Sequence, residues 1–262
     1  MLLVVDIGNT NTVLGVYNKK DKLLFRYRVA TNLKRTSDEL VATLFNMFII
    51  HDVNKDDIND TIIASVVPDI IYSWQSCNRK IFNKDAIIVD YRTDTGIKIA
   101  YESPREVGAD RIVDAVAVYN KYGGPSIIVD MGTAITFDVI TKDGSYLGGS
   151  IAPGIRIAQD GLFGKTAQLP KIELKVPTTP IATTTSESIN AGIVYGYIGL
   201  IDGLISQIEK ELREVHKITD DINVIATGGY SELISSESKY INIIEPDLML
   251  DGLKIIYDRI NK

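Results

Sequence analysis

Two short stretches of the chain carry the residue types of phosphate chemistry. Asp6 ends an apolar run and is followed by Ile7, Gly8, Asn9, Thr10, Asn11, Thr12 and Val13. Glycine tolerates positive φ, and Asn and Thr side chains bond their own backbone, so a tight turn between two strands is expected. Read only as a hairpin, the stretch is a polar turn. Read as a site, its N–H groups and threonine hydroxyls cradle phosphate oxygens, and Asp6 stands at a strand end where a magnesium ion could sit. The pattern recurs. "IVDMGTAITFDVI", with Asp130, Gly132 and Thr133, repeats the strand, Asp-x-Gly, threonine turn and strand of "VVDIGNTNTVLGVY". Unrelated hairpins need not preserve that spacing. "TGGYSEL", Thr227 to Leu233, adds a glycine pair between a strand and a helix, a third place where backbone can approach a nucleotide.

Such turns need strands on both sides, and the flanking sequence supplies them twice. In the first half "LLVVDI", "TVLGVY" and "KLLFRYRVA" read as strands, followed by a helix "SDELVATLFNMFIIHD" capped by Ser37 or Asp38. Strand "TIIASVV", helix "DIIYSWQSCNRKIF", strand "AIIVDY", an irregular loop and helix "REVGADRIVDAVAVYNKY" complete it. Gly123, Gly124 and Pro125 then punctuate the chain. "SIIVDMG", "TAITFDVI" and "SYLGGSIA" restart the pattern, and helices, "INVIAT", a helix opened by Gly228 and Gly229, "KYINII" and a helix "LMLDGLKIIYDRI" follow. The repeat is far too long for a solenoid and predicts two related domains, 1–122 and 123–262.

Composition removes several functions. The net charge is −6, so there is no basic footprint for nucleic acid. Cys77 is the only cysteine, which excludes an intrachain disulfide and suits a reducing compartment. His51 and His216 with one cysteine cannot build a His/Cys zinc site, and both histidines are expected at the surface. "MLLVVDI" lacks the basic region of a secretory leader, because Asp6 cuts the apolar run short. The longest apolar stretch, "INAGIVYGYIGLIDGLI", contains Asn190 and Asp202 and is expected as a buried helix rather than a membrane span. A soluble, cytoplasmic protein is expected.

Taken together, Asp6–Thr10, Ser65–Pro68 ("SVVP"), Gly108–Arg111 ("GADR"), Asp130–Ala134, Gly148–Gly154 ("GGSIAPG"), Leu169–Pro170, "TSESINAGIVYG" and "TGGY" resemble the type III pantothenate kinases, within the acetate and sugar kinase/Hsp70/actin superfamily. The resemblance implies an α/β fold of two duplicated ribonuclease H-like (actin-like ATPase) domains with a cleft between them. It implies ATP-dependent phosphorylation of the primary hydroxyl of pantothenate to 4'-phosphopantothenate, the first step of coenzyme A biosynthesis. Magnesium with ATP, a monovalent cation (potassium or ammonium) and a homodimer come with it, and neither nucleic acid nor membrane is expected as a partner. Residues Asp6 to Val13 and Thr133 would bind ATP, with Asp6 on magnesium directly or through water. Asp110 would be the catalytic base, early in a helix whose dipole favours its ionised form. Tyr101, Gly108, Ala109, Asp110, Arg111 and Thr185 would bind pantothenate, although threonines 183–185 leave the contacting residue open. Asp130 would hold the monovalent cation; in related folds the equivalent acid serves magnesium, so the ion stays open.

Other readings compete. Thr184 and Glu187 fit a capping box, compatible with a substrate role for Thr185. Gly192, Gly196, Gly199 and Gly203 share one helical face, for close helix contact either across a dimer seam or inside the chain. A sugar kinase, a phosphohydrolase of the same superfamily and a non-catalytic regulator of gene expression are the functional alternatives. "GADR" and "GGSIAPG" favour the pantothenate kinase, and intact Asp6, Asp110 and Asp130 favour an enzyme over a regulator. "QDGLFGKT" imitates a P-loop, but Gln159 stands where its first glycine belongs, and a helix-like "GIRIAQ" replaces the strand before it. Lys165→Ala is therefore expected to leave the KM for ATP and the turnover number unchanged. Loss of ATP turnover in a folded Lys165→Ala protein would return Lys165 to the phosphate site.

Overall fold

The computed structural model describes residues 1–166 and 169–262. In chain order the elements are β1 (Leu2–Ile7), β2 (Asn11–Tyr17), β3 (Leu23–Ala30), α1 (Ser37–Ile50), β4 (Asp60–Ser65), α2 (Pro68–Phe82), β5 (Ile87–Ile88), β6 (Lys98–Ile99) and α3 (Ala109–Tyr122). They continue as β7 (Ser126–Met131), β8 (Ala134–Ile140), β9 (Ser145–Pro153), α4 (Ile155–Lys165), α5 (Thr185–Glu214), β10 (Asn223–Thr227), α6 (Ser231–Ser235), β11 (Ile243–Ile244) and α7 (Leu248–Ile260).

The duplication is visible in the sheets. One runs β3-β2-β1-β4-β5, the other β9-β8-β7-β10-β11 with β6 added outside β9. In each, three antiparallel strands are followed by two parallel ones. The chain divides into two compact units: Met1–Ile97, Tyr101–Asn120 and Leu248–Lys262 form the first, Lys98–Ala100 and Lys121–Asp247 the second.

In the first unit β1 is apolar almost throughout and buried on both faces, as a central strand covered on two sides must be. On one side Leu40, Leu44, Met47 and Phe48 of α1 and Ile70, Trp74 and Cys77 of α2 share a core with Leu3, Val5 and Ile7. Burial pushes the Cys77 thiol up to about 12, which leaves it chemically inert. α7 packs on β1 and β4. The Tyr257 hydroxyl donates to Asp60 Oδ2 at 2.6 Å, and burial, then that bond, pushes its pKa up to about 12. In the second unit Val194, Ile201, Ile205 and Leu212, on one face of α5, cover alternate residues of β7 and β8.

Several local expectations are corrected. The cap of α1 is Thr36, one residue earlier: its Oγ1 accepts from Glu39 N at 3.3 Å while the Glu39 carboxylate accepts from Thr36 N at 2.7 Å. The reciprocal pair needs a hydroxyl three residues before a glutamate, which Ser37 and Asp38 lack. "AIIVDY" and "KYINII" shrink to Ile87–Ile88 and Ile243–Ile244, outermost strands with a neighbour on one side only. The expected irregular loop contains β6, which pairs in parallel with β9. The helix expected from Arg105 breaks into a 3-10 turn, Pro104–Glu106, and α3. His51 is half-buried, its ring stacked 3.8 Å from that of Phe25. The long helix α5 is buried over only a third of its most apolar window, 33%, because one face meets the sheet and the glycine face does not.

Gly252 in α7 marks a tight crossing. A Cβ built there would stand 2.3 Å from the Val113 carbonyl oxygen in α3. Replacing a mid-helix glycine by alanine ordinarily gains about 1 kcal/mol in helix propensity. Here the backbone contact opposes it, so Gly252→Ala is expected to lower stability by about 1–3 kcal/mol in urea unfolding. A stabilised variant would mean that the two helices part without cost.

Candidate active site

The first turn sits where β1 and β4 end side by side. Their parallel register sets Asp6 opposite Ala64 and Ile7 opposite Ser65, and Val66 N donates to Ile7 O at 3.1 Å. Open α/β sheets bind ligands at such carboxyl ends. The turn closes through Gly8 N to Asn11 O at 3.0 Å. Thr31, the residue after β3, grips it from the other side. Its N–H donates to Thr10 O at 3.0 Å, its hydroxyl donates to Gly8 O at 2.7 Å, and Thr12 Oγ1 lies 2.9 Å from that hydroxyl. Asn9, Thr10 and Asn11 are exposed, and Asp6, Gly8 and Val13 are half-buried. The Ile7 side chain belongs to the core and Thr12 is buried, so these two can offer a ligand only backbone. Thr31 had no signal beyond a hydroxyl residue just past a strand.

Asp110 lies in the first turn of α3, its Oδ1 accepting from Arg111 N at 2.8 Å. Gly108 makes room for it: a Cβ there would be 2.4 Å from Asp110 Oδ1 and 3.6 Å from Val66 Cγ1. Gly108 thus lies close both to the Asp110 carboxylate and to Val66, the residue that follows β4 and bonds the end of β1. An acid in the first turn suits the helix dipole. Ala109 opens α3 beside it, Arg111 is buried, and Tyr101 is half-buried on the loop before α3. Among the described residues no group of three or more His, Cys, Asp or Glu could hold a metal. Asp6 is a carboxylate beside the exposed turn residues Asn9 to Asn11. That fits magnesium, which is usually held by one or two carboxylates together with a substrate's phosphates.

The second unit builds its turn differently. Asp130, the penultimate residue of β7, stands opposite Thr136 of β8 and Thr227 of β10. Gly228, at φ 90°, lies so close that a Cβ would be 2.5 Å from the Met131 carbonyl carbon and 2.6 Å from Asp130 Oδ1. Gly154, the residue after β9, presses on the turn, where a Cβ would meet Thr133 O at 2.0 Å. Gly154 is pinned in turn by the Tyr197 hydroxyl, 3.0 Å from Pro153 O and 3.2 Å from Gly154 O; burial raises that phenol's pKa. Thr133 is exposed and Asp130 half-buried. Thr184 caps α5, accepting from Glu187 N at 3.3 Å, and leaves Thr185 exposed as its first residue. The glycine pair reads in the sequence as a place for backbone to approach a nucleotide, and Gly228 lies against Asp130; nothing in the sequence singled out Tyr197.

The candidate residues thus fall into two sets. Asp6 to Val13, Tyr101 and Gly108 to Arg111 belong to the first unit; Asp130, Thr133 and Thr185 belong to the second. Lys165 is the exposed last residue of α4, preceded by helix, the reverse of a P-loop.

Comparison with known proteins bears on the fold and the family. Two solved structures are similar in fold across nearly the whole chain. A Campylobacter jejuni protein described as a Baf family transcriptional activator has a TM-score of 0.61 at 19% identity, covering 99% of this chain and 100% of that one. A Sinorhizobium meliloti protein described as a 2-dehydro-3-deoxygalactonokinase has a TM-score of 0.61 at 12% identity, covering 99% and 97%. In sequence, a type III pantothenate kinase of Finegoldia magna is 50% identical over 258 residues, 98% of this chain and 97% of its own. Residues 2–207 match the family model for type III pantothenate kinase, and with that relative they establish that the chain belongs to the type III pantothenate kinase family.

Proposed function

We infer that the chain carries out its family's reaction, the ATP-dependent phosphorylation of the primary hydroxyl of pantothenate to 4'-phosphopantothenate, with Asp110 as base and the turn from Gly8 to Thr12 as phosphate cradle. One observation carries this assignment. Asp110 rests on Gly108 next to Val66, and Val66 bonds Ile7, so a base and an amide-rich turn share one strand end.

Phosphoryl transfer to an alcohol needs positioning, charge neutralisation and a proton acceptor. The Asp110 carboxylate takes the hydroxyl proton as the oxygen bonds to the γ-phosphorus and ADP leaves. Asp6, with Ile7 and Val13 flanking the turn, fixes the nucleotide end. When bound, magnesium neutralises phosphate charge, and Asp6 holds it directly or through water. Thr133 touches ATP. Tyr101, Gly108, Ala109, Arg111 and Thr185 hold pantothenate, with Arg111 supplying the positive charge for its acidic end.

Asp130 is the proposed ligand of a monovalent cation, potassium or ammonium. The Gly228 backbone and the Met131 carbonyl beside its carboxylate offer the oxygen-rich, weakly charged surroundings that such an ion suits. The enzyme is proposed to work as a cytoplasmic homodimer with neither nucleic acid nor membrane as partner, and the domains 1–122 and 123–262 are the proposed products of the duplication. What supports the dimer is the glycine stripe. No heavy atom outside the helix's own backbone lies within 4 Å of a Cβ built at Gly192, Gly196, Gly199 or Gly203, among the described residues. Among the described residues none packs that closely on these glycines, and a second copy would.

Two outcomes are expected. In a phosphoryl-transfer assay with pantothenate as acceptor, run with and without potassium, Asp110→Asn should lose about 10²–10⁴-fold in kcat while melting as the wild type does. Near-normal turnover at saturating substrate would remove the base assignment. Gly196→Leu should give a monomer or weak dimer in sedimentation and a raised KM for pantothenate, because overpacking costs about 1–3 kcal/mol and a symmetric seam meets it twice. A tight dimer with unchanged KM would take the stripe out of both roles.

A further inference from the structure

We propose that Thr31 is the positioning residue of the phosphate turn, aiming the amides of Asn9 and Asn11 by holding the carbonyls that precede them; this rests on the reading of Gly8 to Thr12 as the cradle. Thr31 takes two carbonyls of the turn at once, Gly8 O through its hydroxyl at 2.7 Å and Thr10 O through its N–H at 3.0 Å. A peptide unit is planar and trans, so its N–H leaves opposite to its C=O. With the Gly8 carbonyl drawn toward Thr31, the Asn9 N–H must point away from it. With the Thr10 carbonyl drawn the same way, the Asn11 N–H does too. Both asparagines are exposed. Donors fixed before the anion arrives need no reorganisation when it does.

The hydroxyl is fully committed. Its proton goes to Gly8 O, so it accepts from Thr12 Oγ1 at 2.9 Å, and the buried Thr12 hydroxyl has no need of the ligand. The second unit supplies a contrast. Ala30 faces Asn11 as Pro153 faces Ala134, so Gly154 stands where Thr31 does. There the backbone itself presses on the Gly132 and Thr133 carbonyls, and a side chain would not fit. The first turn is one residue longer, Ile7 to Thr12 against Met131 to Ile135, and it is the one with a side-chain clamp.

The test compares Thr31→Val, which keeps the shape and removes the hydroxyl, with Thr31→Ser, which keeps the hydroxyl, and with Asn9→Pro, which deletes one aimed amide. Steady-state kinetics and melting are measured on the full chain. Thr31→Val is expected to raise the KM for ATP about tenfold, with the KM for pantothenate unchanged, and Thr31→Ser to restore it. Asn9→Pro should weaken ATP similarly. If Asn9→Pro weakens ATP and Thr31→Val does not, the positioning role fails and the cradle stands. If Thr31→Ser is as poor as Thr31→Val, the hydroxyl is not the cause and the proposal fails. If neither Asn9→Pro nor Thr31→Val changes the KM for ATP, the cradle itself is misplaced and the proposal falls with it.

Discussion

The parallel pairing of β1 with β4 is the constraint on which the first unit depends. Parallel neighbours cannot be joined by a tight turn, so the chain must leave the sheet and return through a crossover. That crossover includes α1, whose buried side chains cover the sheet. The pairing also brings two carboxyl ends to one edge, Ile7 beside Ser65, with Val66 bonded to Ile7. Everything proposed for this unit's chemistry hangs from that edge. The turn leaves β1 there, and Val66 is the surface against which Gly108 sets Asp110. The same pairing, β7 with β10, brings Thr227 beside Asp130 and thereby delivers Gly228 against the carboxylate.

Duplication gave the two units one topology but not one way of bracing a turn. In the first, Thr31 holds one carbonyl with its hydroxyl and another with its backbone N–H. In the second, Gly154 presses on the turn itself, and Tyr197 of α5 holds the glycine down. Each device fits its loop length. A shorter turn leaves less room, so it takes a glycine; a longer one has carbonyls to spare, and they must be tied.

Much of this was legible because it is periodic or local. The Asp-x-Gly turns and the strands beside them follow from residue type and spacing, whereas the break before α3 falls inside what reads as one helix. The cap at Thr36 was missed by one residue, since Ser37 and Asp38 are equally good caps in isolation and only Glu39 selects Thr36. The strand Lys98–Ile99 was invisible because two residues carry no period; it exists through Tyr146 and Gly144, whose carbonyls accept from Ala100 and Lys98. Which sheet α7 covers is equally non-local. Its partners, Asp60 for Tyr257 and Asp21 for Lys254, lie about a whole chain away, and no window of sequence contains both ends. Thr31 belongs to the same class, a residue that matters for what it faces across a strand pair.

The charges pose a last problem, which the backbone resolves. The chain carries a net −6, and its reaction passes a phosphoryl group from an anionic nucleotide to the hydroxyl of an acid. Asp6 and Asp110 add two carboxylates near the proposed cradle. A cluster of lysines would attract phosphate, but it would also pair with those carboxylates and hold the base less available. Aimed amides avoid this. They are uncharged, they cannot leave the turn, and they act only over hydrogen-bond distance. The first turn of α3 suits Asp110 in the same way, since a helix N-terminus favours negative charge. A site built this way would let an acidic protein hold an anion without placing lysines beside its own carboxylates.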